Sequence, residues 1–162
     1  MKHIPQFITG QTAFIQGIGL LGMVKTVTLP KVEQIRETIK QGGFERSIAT
    51  GIFKALEAEL TLTEYHPVAY QAMQNENALI VIKGSIKQAG KDIPLEVTFK
   101  GGVDVDDGVW ETGKEAERKV KVFCDYYSLM IGGVLQVEMD RENMIATVMG
   151  VDHLEAMRKH IL

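Results

Sequence analysis

Residues able to do chemistry are present but scattered. His3, His66, His153 and His160 lie far apart, and no H-E-x-x-H pair, paired cysteines or G-x-S-x-G elbow accompanies them. His153 and His160 are seven apart on one face of an expected terminal helix, a spacing that suits surface imidazoles better than metal ligands. Gly17-Ile18-Gly19-Leu20-Leu21-Gly22 has the glycine spacing of a dinucleotide loop, which must open a helix whose amides face the pyrophosphate. Here the chain continues as MVKTVTL, β-branched and stopped by Pro30, so a glycine-pinched hairpin is expected instead. Asp104, Asp106 and Glu115 occupy positions 1, 3 and 12 of an EF-hand count, but the glycine position is Val109 and no helix precedes it. Carboxylates are plentiful, yet no motif pairs them, and an acid and a base could meet only through the fold. No catalytic, cofactor or metal site is expected.

Composition names no function. At 162 residues, 45% apolar and 24% charged, one domain can bury a sufficient core. A formal charge of −3 argues against a dedicated nucleic-acid or acidic-membrane binder, which would carry a basic stripe. Cys124 is alone and falls on an apolar strand face, so a buried thiol made in a reducing cytoplasm is expected. Residues 13–24, AFIQGIGLLGMV, resemble a signal-peptide core, but they lack a preceding basic cluster and are too short and glycine-broken to span a bilayer.

The elements read as mainly β. Residues 1–12 form a polar arm. Residues 32–40, VEQIRETIK, fit a helix or a strand, with local rules favouring helix. Residues 42–51 read as a loop and 58–65 as a strand, and Pro67 opens a short helix ending near Asn75. Residues 78–87 and 92–100 form a hairpin. Residues 101–116 read as an acidic loop; through Glu117 it holds six acids against Lys114, five net negative charges. Residues 143–149 form a last strand, and Asp152 caps a helix over 152–162 with Glu155 reciprocating and Leu154, Met157 and Ile161 on its apolar stripe.

Residues 117–140, ERKVKVFCDYYSLMIGGVLQVEMD, are the strongest signal. Gly132-Gly133 suits a primed turn. With Ile131 opposite Val134, strict alternation places Val120, Val122, Cys124, Tyr126, Ser128 and Met130 on the core face, joined by Leu135, Val137 and Met139. Lys119, Lys121, Phe123, Asp125, Tyr127 and Leu129 then share the wet face with Gln136 and Glu138. The first strand would extend about 50 Å at roughly 3.3 Å per residue, and its edge calls either for pairing or cover by other subunits or for a barrel of its own around which the strand wraps.

Several strings together resemble the major tail tube protein of contractile-tailed phages and R-type bacteriocins. They are Val24-Lys25-Thr26-Val27-Thr28-Leu29-Pro30-Lys31, the Gly42-Gly43 loop, Tyr126-Tyr127-Ser128-Leu129, Val137-Glu138-Met139-Asp140, Asn143, and Gly150-Val151-Asp152-His153-Leu154-Glu155. The resemblance implies a mainly β fold, an antiparallel β-barrel or sandwich with one flanking helix and a C-terminal helix. It also implies six subunits to a ring, rings stacked head to tail, and inner sheets merging into one channel. On that likeness residues 32–38 are extended rather than helical. The hairpin tip departs from the pattern: Met130, Ile131, Val134 and Leu135 surround Gly132-Gly133 where relatives carry a polar Asp-Gly turn.

The implied role is a structural tube subunit in a virion tail, assembled in the bacterial host cytoplasm, with sheath, baseplate, tape-measure and tail-terminator partners. DNA would pass through without specific binding. The alternatives are the secreted tube of a type VI system and a monomeric small-molecule-binding β-barrel. On this reading Lys119, Lys121, Asp125, Tyr127, Gln136 and Glu138 line the channel. Asp104, Asp106, Asp107 and Trp110 meet a surface of the next ring that includes Lys2, Lys25 and Lys31, the cations of an acid-free segment 1–32.

Overall fold

A computed structural model describes residues 3–162. The strands are β1 Phe7–Ile15, β2 Ile18–Gly19, β3 Val24–Thr28, β4 Gln34–Gln41, β5 Phe44–Phe53 and β6 Leu56–Leu62; after helix α1, Val68–Met73, come β7 Ala78–Gln88, β8 Lys91–Asp106, β9 Arg118–Ile131, β10 Val134–Asp140, β11 Ile145–Val148 and β12 Val151–Asp152, and helix α2, Glu155–Ile161, closes the chain. Gly132 and Gly133 take φ angles of +62° and +79°, the left-handed backbone that a primed two-residue turn requires. Ile131 lies opposite Val134 as expected.

Ten strands form one antiparallel sheet in the order β12-β11-β10-β9-β8-β7-β1-β2, with β6 paired to β9 and β3 to β6. The strand order does not close on itself, so of the expected barrel or sandwich no closed barrel forms; the fold is mainly β and antiparallel, with two short helices. β9 organises it. One edge pairs with β8 along its length, while the other is divided between β6, over Arg118 to Cys124, and β10, over Tyr126 to Ile131.

At the division, Lys100 pairs with Tyr126 but Gly101 pairs with Cys124, leaving Asp125 as an extra residue. A bulge of one residue reverses the alternation beyond it. Val120 and Val122 are fully buried before the bulge; after it Tyr127, not Tyr126, turns inward and stacks on Phe99 at 5.7 Å. This corrects the expected placement of both tyrosines. The two strands approach so closely here that a Cβ on Gly101 would stand 1.9 Å from the Phe123 carbonyl oxygen. The core face gathers Leu60, Ile80, Ile82, Val97, Phe99, Val120 and Val122. The buried residues Val68, Ala69 and Ala72 of α1 join the same core.

Other boundaries move. The arm is shorter than residues 1–12, because β1 begins at Phe7 and pairs with β7. The loop expected over 101–116 is strand as far as Asp106. Residues 42–51 are not a loop: β4 and β5 make a hairpin through Gly42-Gly43, at +60° and +78°, which bears out the extended reading of 32–38. Helix α2 starts at Glu155 rather than 152, and Asp152 is not its cap. Its Oδ1 accepts from the Leu154 and Ala146 amides, and its Oδ2 pairs with Arg158 at 2.9 Å.

Two outcomes test this arrangement. Val122→Asp buries an unpaired carboxylate, a cost of several kcal/mol in a domain whose total stability is about 5 to 15 kcal/mol, and is expected to abolish soluble folding, whereas half-buried Gln136 accepts Asp with a near-normal melting temperature. Gly101→Ala is expected to cost about 3 kcal/mol or more by denaturant titration, while Gly102→Ala, with nothing within 4 Å of the added Cβ, changes stability by less than about 0.5 kcal/mol. Equal melting temperatures within either pair would contradict the assignment of faces or of the bulge.

Candidate functional site

Cross-strand register builds a charged surface on the outer face of β6, β9 and β8. Thr61, Lys119 and Asp106 form one row; Glu59, Lys121 and Asp104 form the next; Glu57 and Phe123 follow. Residues directly opposite in a sheet share a face, so two lysines stand among four carboxylates. Lys121 Nζ lies 3.3 Å from Glu57 and 5.3 Å from the Phe123 ring centroid. Beyond the bulge the same face continues through Tyr126, whose hydroxyl donates to Glu138 at 3.3 Å and whose ring lies 5.6 Å from Lys100 Nζ.

The residues expected to share one wet wall divide. Lys119 and Lys121 are exposed, and Glu138 is half-buried further along the sheet, opposite Ser128 and past the bulge. Asp125 sits in the bulge and accepts from Arg141 at 2.8 Å. Gln136 occupies a second bulge, in β10, where its carbonyl accepts the Met149 amide. Tyr127 is 2% exposed and cannot line anything; burial pushes its phenol up to about 12.

The second expected cluster also divides. Asp104 and Asp106 are not loop residues but cross-strand neighbours of Lys121 and Lys119, so they belong to the same face as the lysines. Asp107 is not available to another subunit. Its carboxylate holds Arg118, Nε at 2.5 Å and Nη2 at 3.3 Å, and accepts the Tyr70 hydroxyl at 2.8 Å. Arg118 is 4% exposed, donates to the His66 carbonyl at 2.7 Å and lies 5.2 and 4.8 Å from the Tyr65 and Tyr70 ring centroids. This buried cation joins the start of β9, the turn before α1 and the end of β8. Trp110 is 71% exposed and leans on Tyr65 at 5.1 Å. Lys25 and Lys31 are exposed, and Lys2 lies outside the described residues.

Among the described residues no three His, Cys, Asp or Glu side chains gather as a metal site requires. Burial first, then the nearby Asp125 charge, pushes the Cys124 thiol up to about 12, which suppresses the thiolate. No helix among the described residues is long and apolar enough to cross a membrane. What the surfaces can do is bind other surfaces. Sequence reasoning missed the β4–β5 hairpin, although Gly42-Gly43 carries the same turn signal as Gly132-Gly133, and it missed Arg118, which looks like one more strand charge.

Comparison with known proteins agrees in both sequence and shape. Residues 5–161 match the family described as phage tail tube protein FII. The chain is 30% identical over 168 residues to the tail tube protein of Escherichia phage P2, covering 98% of each. Its shape resembles a chain in a cryo-EM structure of an extracellular contractile injection system, the PVC sheath/tube terminator in its extended state. That similarity has a TM-score of 0.56 at 10% identity, over 80% of this chain and 98% of the other.

The Arg118 hydrogen bond, assisted by that from Tyr70 and opposed by partial burial, holds the Asp107 carboxyl below the usual carboxylate range. A carboxyl depressed on folding contributes stability that is fully present above its unfolded pKa, about 3.9, and is lost as pH falls through the lower folded value. Asp107→Asn is therefore expected to lower stability by about 1.5 to 3 kcal/mol at neutral pH. The gap from wild type should hold constant down to about pH 5 and narrow below about pH 4. A gap independent of pH in thermal melts would remove the ion pair from the account.

Proposed function

The chain belongs to the phage tail tube protein FII family, and on that premise we propose that it is the repeating subunit of the inner tube of a contractile tail. The observation that carries this reading is the end-to-end match, 98% of both chains, with a tail tube protein. The role is structural: it conducts and pierces by shape, and it catalyses nothing. Six copies form a ring, and rings stack head to tail.

The sheet supplies a reason to assemble. The outer edge of β1 pairs with β2 only at Phe14 and Ile15, leaving residues 7–12 without a strand partner on that side. An exposed strand edge is a template for pairing, and edges joined round a ring merge the sheets into one wall. The outer face then lines the channel with Lys119, Lys121 and Glu138, joined by Glu57, Glu59, Asp104 and Asp106. This mixed but net acidic wall repels phosphate enough for DNA to pass without specific binding. Asp125 and Gln136 stand at its margin. The loop after β8, with Trp110 as its apolar anchor, meets a surface of the next ring that includes Lys25 and Lys31. Sheath, baseplate, tape-measure and terminator proteins are the further partners, and the virion tail, built in the host cytoplasm, is the location.

Negative-stain microscopy and solution mass of the purified protein test the reading. Hollow tubes or six-fold rings whose proportion rises with concentration are expected. Persistent monomer at high concentration, with saturable uptake of a small apolar molecule, would reject it.

A further inference from the structure

The β4–β5 hairpin is exposed along nearly its whole length, with apolar residues among its charges. Register places Ile39, Phe44 and Ile48, at 39%, 79% and 38% exposure, on one face with Glu37, Gln41 and Arg46, and Arg36, Thr38, Lys40, Glu45, Ser47 and Ala49 on the other. A two-stranded hairpin alone is marginally stable in water, so its exposed Ile39, Phe44 and Ile48 call for a cover that this subunit does not provide. A mostly apolar groove of about 290 Å³ lies at the root of the hairpin, walled by Phe53, Leu56, Met139, Ile145, Leu154 and Met157.

We propose that Phe44, at the hairpin tip of one copy, seats in this groove of the next copy, with Arg46 pairing to Asp140 at the groove's lip. The inference rests on the tube reading and assigns one of its contacts. The hairpin cannot fill its own groove. β4 runs eight residues, which at about 3.3 Å each carries the tip roughly 25 Å from its root, and root residue Phe53 is part of the groove wall. Tip and groove therefore belong to different copies, a heterologous contact that repeats without closing on a pair. The charges match. Arg46 lies opposite Ile39, on Phe44's face, and has no ion pair among the described residues. Asp140 borders the groove and accepts only from Asn143, at 2.7 and 3.3 Å, with no cation. The groove's other carboxylate, Asp125, is already held by Arg141, and its lysine, Lys54, by Glu33.

Cysteines at both sites test the contact. In a Cys124→Ser background, Phe44→Cys with Met157→Cys, assembled and oxidised with copper phenanthroline, is expected to give a ladder of covalent oligomers beyond dimer on a non-reducing gel. Each single-cysteine control stops at dimer. Tubes visible by microscopy with no species beyond dimer overturn the docking while leaving the tube reading intact. A ladder formed instead by Phe7→Cys with Met157→Cys gives the groove to the N-terminal strand and likewise overturns it. Should the cysteine variant fail to assemble, the charges decide. Arg46→Asp and Asp140→Arg are each expected to slow tube growth at least about tenfold at low salt, roughly the effect of losing 1.4 kcal/mol, and the double exchange to restore it. Single variants growing at the wild-type rate overturn the proposal. Wild-type protein that never forms tubes takes the tube reading down with it.

Discussion

The close approach of Gly101 to the Phe123 carbonyl is the constraint on which the rest of the sheet depends. It admits the extra residue Asp125 into β9, and that residue lets one long strand serve two partners without exposing its core face. Before the bulge β9 presents Val120 and Val122 to the interior beside β6; after it Tyr127 lies inward beside Phe99 while β10 takes over the edge. Without the bulge, strict alternation would send Tyr127 to water and Tyr126 to the core. The Arg141 amide bonds the Asp125 carbonyl at 3.0 Å and the Arg141 side chain bonds its carboxylate, so the irregular backbone is tied to the end of β10.

The second fixed point is Arg118. A buried guanidinium tolerates its surroundings only when its donors are satisfied, and here a carboxylate, a backbone carbonyl and two aromatic rings surround it. These partners come from the turn before α1, from α1 itself and from the end of β8, so one side chain sets where the loop 107–117 departs. The charged outer face and the loop bearing Trp110 are thereby held in fixed relation.

Much of this was legible in the sequence wherever the cause is local. Gly132-Gly133 announces its turn because only glycine adopts two successive positive φ angles at little cost, and Pro67 announces α1 because its missing amide is harmless there. The open sheet, the reversed tyrosines and the pairing of Asp107 with buried Arg118 were not legible, because each is decided by a residue distant in sequence. Gly101 lies 24 positions from Asp125, and nothing in either neighbourhood states that they meet. The hairpin β4–β5 was missed for a different reason. It has no core of its own, so its alternation is diluted by charges on both faces and resembles a helix followed by a loop. The wet face was half legible: alternation found Lys119 and Lys121, but only register shows that Asp104 and Asp106 stand beside them.

The divided edge of β9 also has a history in time. Its pairings with β8 and β10 join neighbours along the chain, whereas its pairing with β6 brings together residues such as Leu60 and Val120, sixty positions apart. Contacts of high sequence separation form late, because chain entropy must be lost before they are rewarded. Until β6 docks, the edge from Arg118 to Cys124 is therefore vacant. A vacant edge at high local concentration captures whichever strand arrives first.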